Sequence, residues 1–260
     1  MSNTEDKHYH DEEFDPCCLC ETYAGYDRLY NEDAMEEIME NVYKVLSSGC
    51  VKGDTIIDVS LGLYMFQLFI AADYFKNIIL IESSDSCVDE IQKWINNEPG
   101  AVDKSHMAAF ACALKGKSEG WQKQEEKARQ AIKQVVKWDL TKENPLEDVV
   151  LPKADCLISC WYLELVSKDP EMYLSLQKHF SSLLKIGSHL ILMSLFNMSY
   201  YTIGDHKFSS LRCNEEFVQK VLTDCGYVIE SFEKHKSKLN SNLIDYDYYG
   251  CFVCRKEKEV

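Results

Sequence analysis

Thr55-Ile56-Ile57-Asp58-Val59-Ser60-Leu61-Gly62-Leu63 is the stretch that decides the fold. A short β-branched run ends in an acid, a loop with one glycine follows, and an apolar helical segment runs from about Tyr64 to Tyr74. The same unit repeats outward from it. Ile78-Ile79-Leu80-Ile81 is a second strand, closing on Glu82, and from Asp85 a helix turns Val88, Ile91, Trp94 and Ile95 inward until Glu98-Pro99-Gly100 stops it. Upstream, Asn31 to Leu46 gathers Ala34, Met35, Ile38, Met39, Val42, Tyr43, Val45 and Leu46 on one helical face behind an Asn cap. Downstream, a Lys/Glu/Gln-rich helix from Gln122 to Gln134 leads into a strand, Val135 to Trp138, and then Asp139. Ala154 to Cys160 reads as a buried strand, Asp169 to Leu184 as a helix, His189 to Phe196 as a fifth strand and Glu215 to Cys225 as a helix. Tyr227 to His235 and Tyr248 to Arg255 are closing strands with no helix between them.

Parallel neighbours need crossovers, so strands alternating with helices imply a parallel, doubly wound sheet, and the helix-free last pair implies an antiparallel strand near one edge. An α/β fold with seven strands, mostly parallel, with helices on both faces and a closing antiparallel hairpin, is the Rossmann-like architecture of class I methyltransferases. Repeats and Pro/Gly-rich linkers are absent. Residues 14–260 are therefore expected to form a single domain, with 14–50 as a helical cap, behind a flexible acidic leader over 1–13.

The chain has 260 residues with 28 Lys+Arg against 43 Asp+Glu, a net charge of −15. That balance argues against nucleic acid and anionic membrane surfaces as partners, since both require a basic face. The polar, acidic N-terminus lacks the apolar core of an export signal. Apolar runs such as His189 to Phe196 are well short of the roughly 18 residues a membrane helix needs. Twelve scattered cysteines then read as reduced thiols of a cytoplasmic protein. A four-thiolate metal site joining Cys17/Cys20 to Cys251/Cys254 is disfavoured, because residues three apart in a strand point to opposite faces.

In open α/β sheets ligands bind beyond the carboxyl ends of the strands, near the point where strand order reverses. Glu82 ends the second strand, and its two oxygens match a vicinal diol such as ribose. Asp139 ends the third, where an adenine amino group can donate to it. Together they point to an adenosine ligand. The loop after the first strand keeps only Gly62 of the glycines that allow close ligand approach, with Ser60 at the first such position.

Val51-Lys52-Gly53-Asp54, Lys93-Trp94, Glu98-Pro99, Gln134 to Thr141, Ala154-Asp155-Cys156 and Ser199 to Leu211 together resemble one family. This is the small N-methyltransferases of nicotinamide, phenylethanolamine and indolethylamine, and above all its nicotinamide branch. The resemblance runs from about Phe14 to Lys256. It implies methyl transfer from S-adenosyl-L-methionine to a ring or amine nitrogen of a small-molecule acceptor, without a metal, by a monomer. Carried over by position, it puts Tyr23, Ser60, Gly62, Phe66, Glu82, Cys87, Asp139, Leu140 and Cys160 at the donor. It puts Tyr201, Ser210 and Ser194 at the acceptor, Tyr201 as an aromatic face and Ser210 as a hydrogen-bond partner.

Departures cluster in the same places. The family's closing tyrosines correspond to Leu19 and Ala24, a donor-contacting Asn to Cys87, a Thr to Cys160, a loop Tyr to Phe66, and a neighbouring acceptor-site Ser to Met198. The strand-five carboxylate corresponds to Ser194, for which Asp245 or Asp247 are candidate substitutes. Two readings follow: an active N-methyltransferase, or a relative without catalysis that binds another small molecule or a protein partner.

Overall fold

The computed structural model describes residues 7–9, 14–27, 34–118, 120–238 and 242–260. Seven strands form the main sheet: β1 (Thr55–Asp58), β2 (Asn77–Glu82), β3 (Ile132–Lys137), β4 (Ala154–Cys160), β5 (Leu184–Phe196), β8 (Tyr227–Lys236) and β9 (Tyr248–Lys256). Their order is β3-β2-β1-β4-β5-β9-β8. β1 runs parallel to β2 and β4, and β9 is antiparallel to both β5 and β8. In β4 and the second half of β5 successive residues are buried, and since they point to opposite faces, both faces of the sheet are covered.

The helices are α1 (Pro16–Ala24), α2 (Ala34–Ser47), α3 (Phe66–Ala71), α4 (Asp85–Ile95), α5 (Ser105–Leu114), α6 (Trp121–Ala131), α7 (Leu163–Val166), α8 (Pro170–Ser182) and α9 (Glu215–Asp224). Several start where side chains take up orphan N–H groups. Asp15 accepts from Cys17 and Cys18, Ser84 from Cys87, Asp169 from Met172 and Asn214 from Phe217. A small hairpin, β6 (Tyr200–Ile203) and β7 (His206–Ser209), lies outside the main sheet.

The seven-stranded architecture expected from the strand and helix pattern is present, with local differences. The helix expected over Tyr64 to Tyr74 contracts to α3. α6 ends at Ala131, because Ile132 to Gln134 pair with β2, and β5 begins at Leu184 rather than His189. α5 and the β6–β7 hairpin were not foreseen. The Asn31 cap expected for α2 lies outside the described residues. Of the leader expected over 1–13, Lys7 to Tyr9 are not loose. Lys7 bridges to Phe208 of β7, its N–H donates to Lys207 O at 3.2 Å, and its carbonyl accepts from Ser209 N at 2.8 Å. Residues 1–6 and 10–13 lie outside the described residues.

Two buried carboxyl groups hold the carboxyl edge of the sheet together. Asp58 accepts from Gln67 Nε2 at 2.7 Å and Ser60 Oγ at 3.2 Å. Glu164 of α7 accepts from Leu195 N of β5 at 2.6 Å, and its own carbonyl accepts from Leu211 N at 2.8 Å and Ser210 Oγ at 3.2 Å. Burial pushes both acids up to about 7 despite those hydrogen bonds. At the opposite edge Gly53 has a φ of +151°, and a Cβ there would sit 2.1 Å from Asp155 Cβ. Asp155 in turn accepts from Asp54 N at 2.9 Å and Thr55 N at 3.1 Å, fixing the entry to β1.

Gly53→Ala is expected to cost about 3 kcal/mol through overpacking and backbone strain, read as a lower urea midpoint. A carboxyl that keeps its proton up to about 7 when folded gives it up near 4 when unfolded, so stability should fall as pH rises between those values and then level off. Glu164→Gln, which retains the acceptor for Leu195 N, should flatten part of that slope in urea titrations from pH 4 to 8. An unchanged slope would mean that Glu164 is ionised in the fold.

Candidate functional site

Strand order reverses between β1 and β4, and the candidate residues gather at their carboxyl ends. Glu82 is 1% exposed, and its Oε1 accepts from Ser83 N at 2.7 Å, Ser84 N at 3.0 Å and the Tyr9 hydroxyl at 2.5 Å. Burial raises its carboxyl above the ordinary range against the pull of these bonds and of the Gly62 N–H. Beyond it lies a cleft of about 740 Å³ bordered by Ser83 to Ser86, Lys137, Asp139, Leu140, Thr141 and Met172. Tyr9 and Phe14 border the cleft and Glu82 does not. Tyr9 packs its ring 4.4 Å from Phe14 and 6.3 Å from Tyr162, between Glu82 and the cleft.

Asp139 is half-buried on the cleft wall. Oδ1 accepts from Thr141 N at 2.9 Å and Thr141 Oγ1 at 2.7 Å, bonds that hold the carboxyl below its usual range. Leu140 is half-buried beside it. Asp139 and Leu140 thus border the cleft, while Glu82 lies behind Tyr9, next to the cleft residues Ser83 and Ser84.

The loop after β1 differs from expectation at Ser60. Its hydroxyl turns into the protein, donating to Asp58 and accepting from Gln67 Nε2 at 3.0 Å and Cys160 N at 3.0 Å, which joins the ends of β1 and β4. Ser60 is therefore an internal clamp and not a ligand-facing group. Gly62 has the left-handed φ of +53° for which glycine is suited, but the space above it is filled: a Cβ there would meet Leu19 Cδ2 at 3.1 Å and Cys87 Sγ at 3.6 Å. Cys87, Cys160 and Phe66 are fully buried, and burial drives both thiols well above their ordinary range. The Tyr23 hydroxyl donates to Thr202 O at 2.9 Å or Leu243 O at 3.0 Å and accepts from Thr202 N at 3.1 Å, so it ties α1 to the β6 hairpin.

A second, aromatic cavity of about 30 Å³, room for one water, adjoins this loop. Leu19, Tyr23, Leu61, Tyr64, Trp161, Leu165, Leu195, Tyr201 and Tyr246 are among the residues around it. Tyr201 is in its wall, stacked on Phe208 at 5.4 Å. Trp161, another wall residue, has a left-handed φ of 52°, and its indole N–H is buried with no hydrogen-bond partner among the described residues. Ser194 is not part of the wall. Alternation along β5 gives the wall to Leu195 and turns Ser194 to the opposite face, beside Glu164 and Tyr173. Ser210 likewise spends its hydroxyl on Glu164 O. Asp245 and Asp247 do not replace a missing carboxylate. Asp245 accepts from Ser199 N at 2.7 Å and Tyr200 N at 3.1 Å to start β6, and Asp247 accepts from Asn197 at 2.9 Å.

Tyr9, Glu164 and Trp161 were missed. Tyr9 and Phe14 stand in an acidic stretch with no periodicity. Trp161-Tyr162-Leu163-Glu164 directly follows a strand end, which is the signal that marks the site in this topology.

Across residues 3–257 the chain matches the model of the NNMT/PNMT/TEMT family. Nicotinamide N-methyltransferase of Homo sapiens is 35% identical over 245 residues, 94% of this chain and 93% of that protein. Indolethylamine N-methyltransferase of Oryctolagus cuniculus is 36% identical over 192 residues, 74% of this chain and 73% of that protein. Among solved structures, the N-methyltransferase NodS of Bradyrhizobium japonicum in complex with S-adenosyl-L-homocysteine has a TM-score of 0.53 at 12% identity, covering 94% of this chain and 100% of that one, a likeness of fold. With the family model matched over residues 3–257 and a relative 35% identical over 94% of its length, the chain belongs to the NNMT/PNMT/TEMT family.

Proposed function

We propose that the protein is an S-adenosyl-L-methionine-dependent N-methyltransferase acting on a small, flat nitrogen heteroaromatic or amine of the nicotinamide kind. The observation that carries this is Glu82, a buried carboxylate held by two backbone N–H groups at the end of β2 and separated by Tyr9 from a cleft that holds Asp139. In this reading Glu82 receives the ribose diol, Asp139 the adenine amino group, and Leu140 packs on the adenine ring. Gly62, Phe66, Cys87 and Cys160 shape the space beside the sulfonium more than they bond it, and Tyr23 closes it by holding the β6 hairpin.

Held by these residues, S-adenosylmethionine would supply a sulfonium-activated methyl group for transfer to the acceptor nitrogen, with S-adenosylhomocysteine as the leaving thioether. The protein's part is orientation and exclusion of water. Tyr201, in the wall of a cavity that must widen to admit it, offers a ring face to a flat acceptor. The cavity wall has no carboxylate or imidazole among its described residues. A protonated amine would have neither a counter-charge nor a base there, so an uncharged ring nitrogen fits better. Ser210 and Ser194 act indirectly, through Glu164. The reading takes the protein as a cytoplasmic monomer with a small-molecule partner. No helix among the described residues is long and apolar enough to cross a membrane.

Calorimetry with S-adenosylhomocysteine, paired with methyl-transfer assays on nicotinamide, pyridines and tryptamine, tests this directly. Binding and transfer to at least one acceptor are expected, while binding to none at millimolar concentration would reject it. Glu82→Gln should weaken binding by at least about tenfold, the worth of a hydrogen bond to a charged group. Tyr9→Phe should do the opposite. Its hydroxyl occupies Glu82 before the ribose arrives, so removing it should tighten binding up to about tenfold.

A further inference from the structure

Lys104, at the N-cap of α5, is 1% exposed. Its ammonium donates to the Leu63 carbonyl at 3.0 Å and lies 3.9 Å from Cys20 Sγ. Among the described residues, no carboxylate stands within 4.0 Å of it. The acids that feel its charge are otherwise engaged: Asp103 accepts from Ser105 N at 2.9 Å, and Glu125 pairs with Arg129 at 3.3 Å. A buried ammonium has three donors and needs an anion. Here it has one carbonyl and one thiol.

Its location gives that need a direction. Leu63 follows Gly62 in the loop between β1 and α3, and Cys20 follows Leu19, which covers Gly62 and borders the aromatic cavity. The side chains of this loop and those that cover it are apolar: Leu19, Leu61, Phe66 and Cys87 contribute no charge, and the Tyr23 hydroxyl is committed to the hairpin. The donor's amino-acid end carries an α-carboxylate, for which a positive charge is the strongest partner in a dry site.

Resting on the donor reading above, we infer that Lys104 is the donor-binding residue that receives the α-carboxylate of the methionine moiety, and that it selects ligands possessing that end. A lysine that merely braced the loop through Leu63 would support every ligand of the cleft alike. A lysine that pairs with the carboxylate discriminates between S-adenosylhomocysteine, which has the amino-acid end, and 5′-methylthioadenosine, which lacks it.

The test is calorimetry of both ligands on the full chain and on Lys104→Met, which keeps the length and apolar stem without the charge, with Lys104→Gln as a second variant and circular dichroism confirming the fold of each. The expected result is S-adenosylhomocysteine weakened by at least about tenfold and methylthioadenosine changed by less than about twofold. An equal change for both ligands, or none for either, overturns the assignment while leaving the donor reading intact. Wild-type protein that binds neither ligand overturns both.

Discussion

Everything at the site hangs on the parallel pairing of β1 with β4. Two parallel neighbours cannot be joined by a tight turn, so the chain leaves the sheet at each carboxyl end and returns through helices packed on its faces. Between β1 and β4 these excursions part in opposite directions, and the cleft that holds Asp139 and the aromatic cavity lie beyond the carboxyl ends of the strands. Ser60 reinforces the pairing where it matters. One hydroxyl bonds the end of β1, the start of α3 through Gln67 and the last N–H of β4. A side chain standing where a glycine is expected thus gains a structural role, and the loop becomes stiffer than a glycine-rich one.

The same edge is unusual in its electrostatics. Asp58, Glu82 and Glu164 all sit in the dry layer at the carboxyl ends of the strands, and burial raises all three. Side-chain hydroxyls, the Gln67 amide and backbone N–H groups of loop and strand stabilise them, with no basic side chain among the partners named for these carboxyls. Of 43 acids, these few are kept where a proton or a hydrogen-bond donor must accompany them. Among the described residues, others such as Asp54, Asp85, Glu233 and Asp224 stand toward solvent and pair with lysines.

The strand–helix alternation and the positions of Glu82 and Asp139 were legible in sequence because each depends on residues within a few positions of one another. α5 was overlooked although Met107, Ala108, Ala111 and Cys112 form its buried stripe, since alanine and cysteine carry little hydrophobic contrast. Ser194 was misplaced because correspondence with a relative gives the position of a residue, while the face it occupies follows from the pleat of β5. Tyr9 reaches Glu82 across 73 positions and Lys104 reaches Cys20 across 84. Neither contact leaves a periodic or spacing signal. The side chains that fill the space over Gly62 were visible as substitutions, but that Leu19 and Cys87 converge on one carbon required three dimensions.

Strand order has one more consequence, at the margins of the sheet. The two outermost strands are β3 and β8, each paired on one side only. β3 exposes Lys133, Gln134 and Lys137, while β8 alternates through Glu230, Glu233, Lys234 and Lys236 along a largely solvated ribbon. An unpaired row of backbone donors and acceptors is a template for another chain, and charged side chains along it oppose the approach of a second copy. The strands richest in Ile, Leu and Val, which would aggregate most readily, are confined to the interior of the order, where both of their edges are already spoken for.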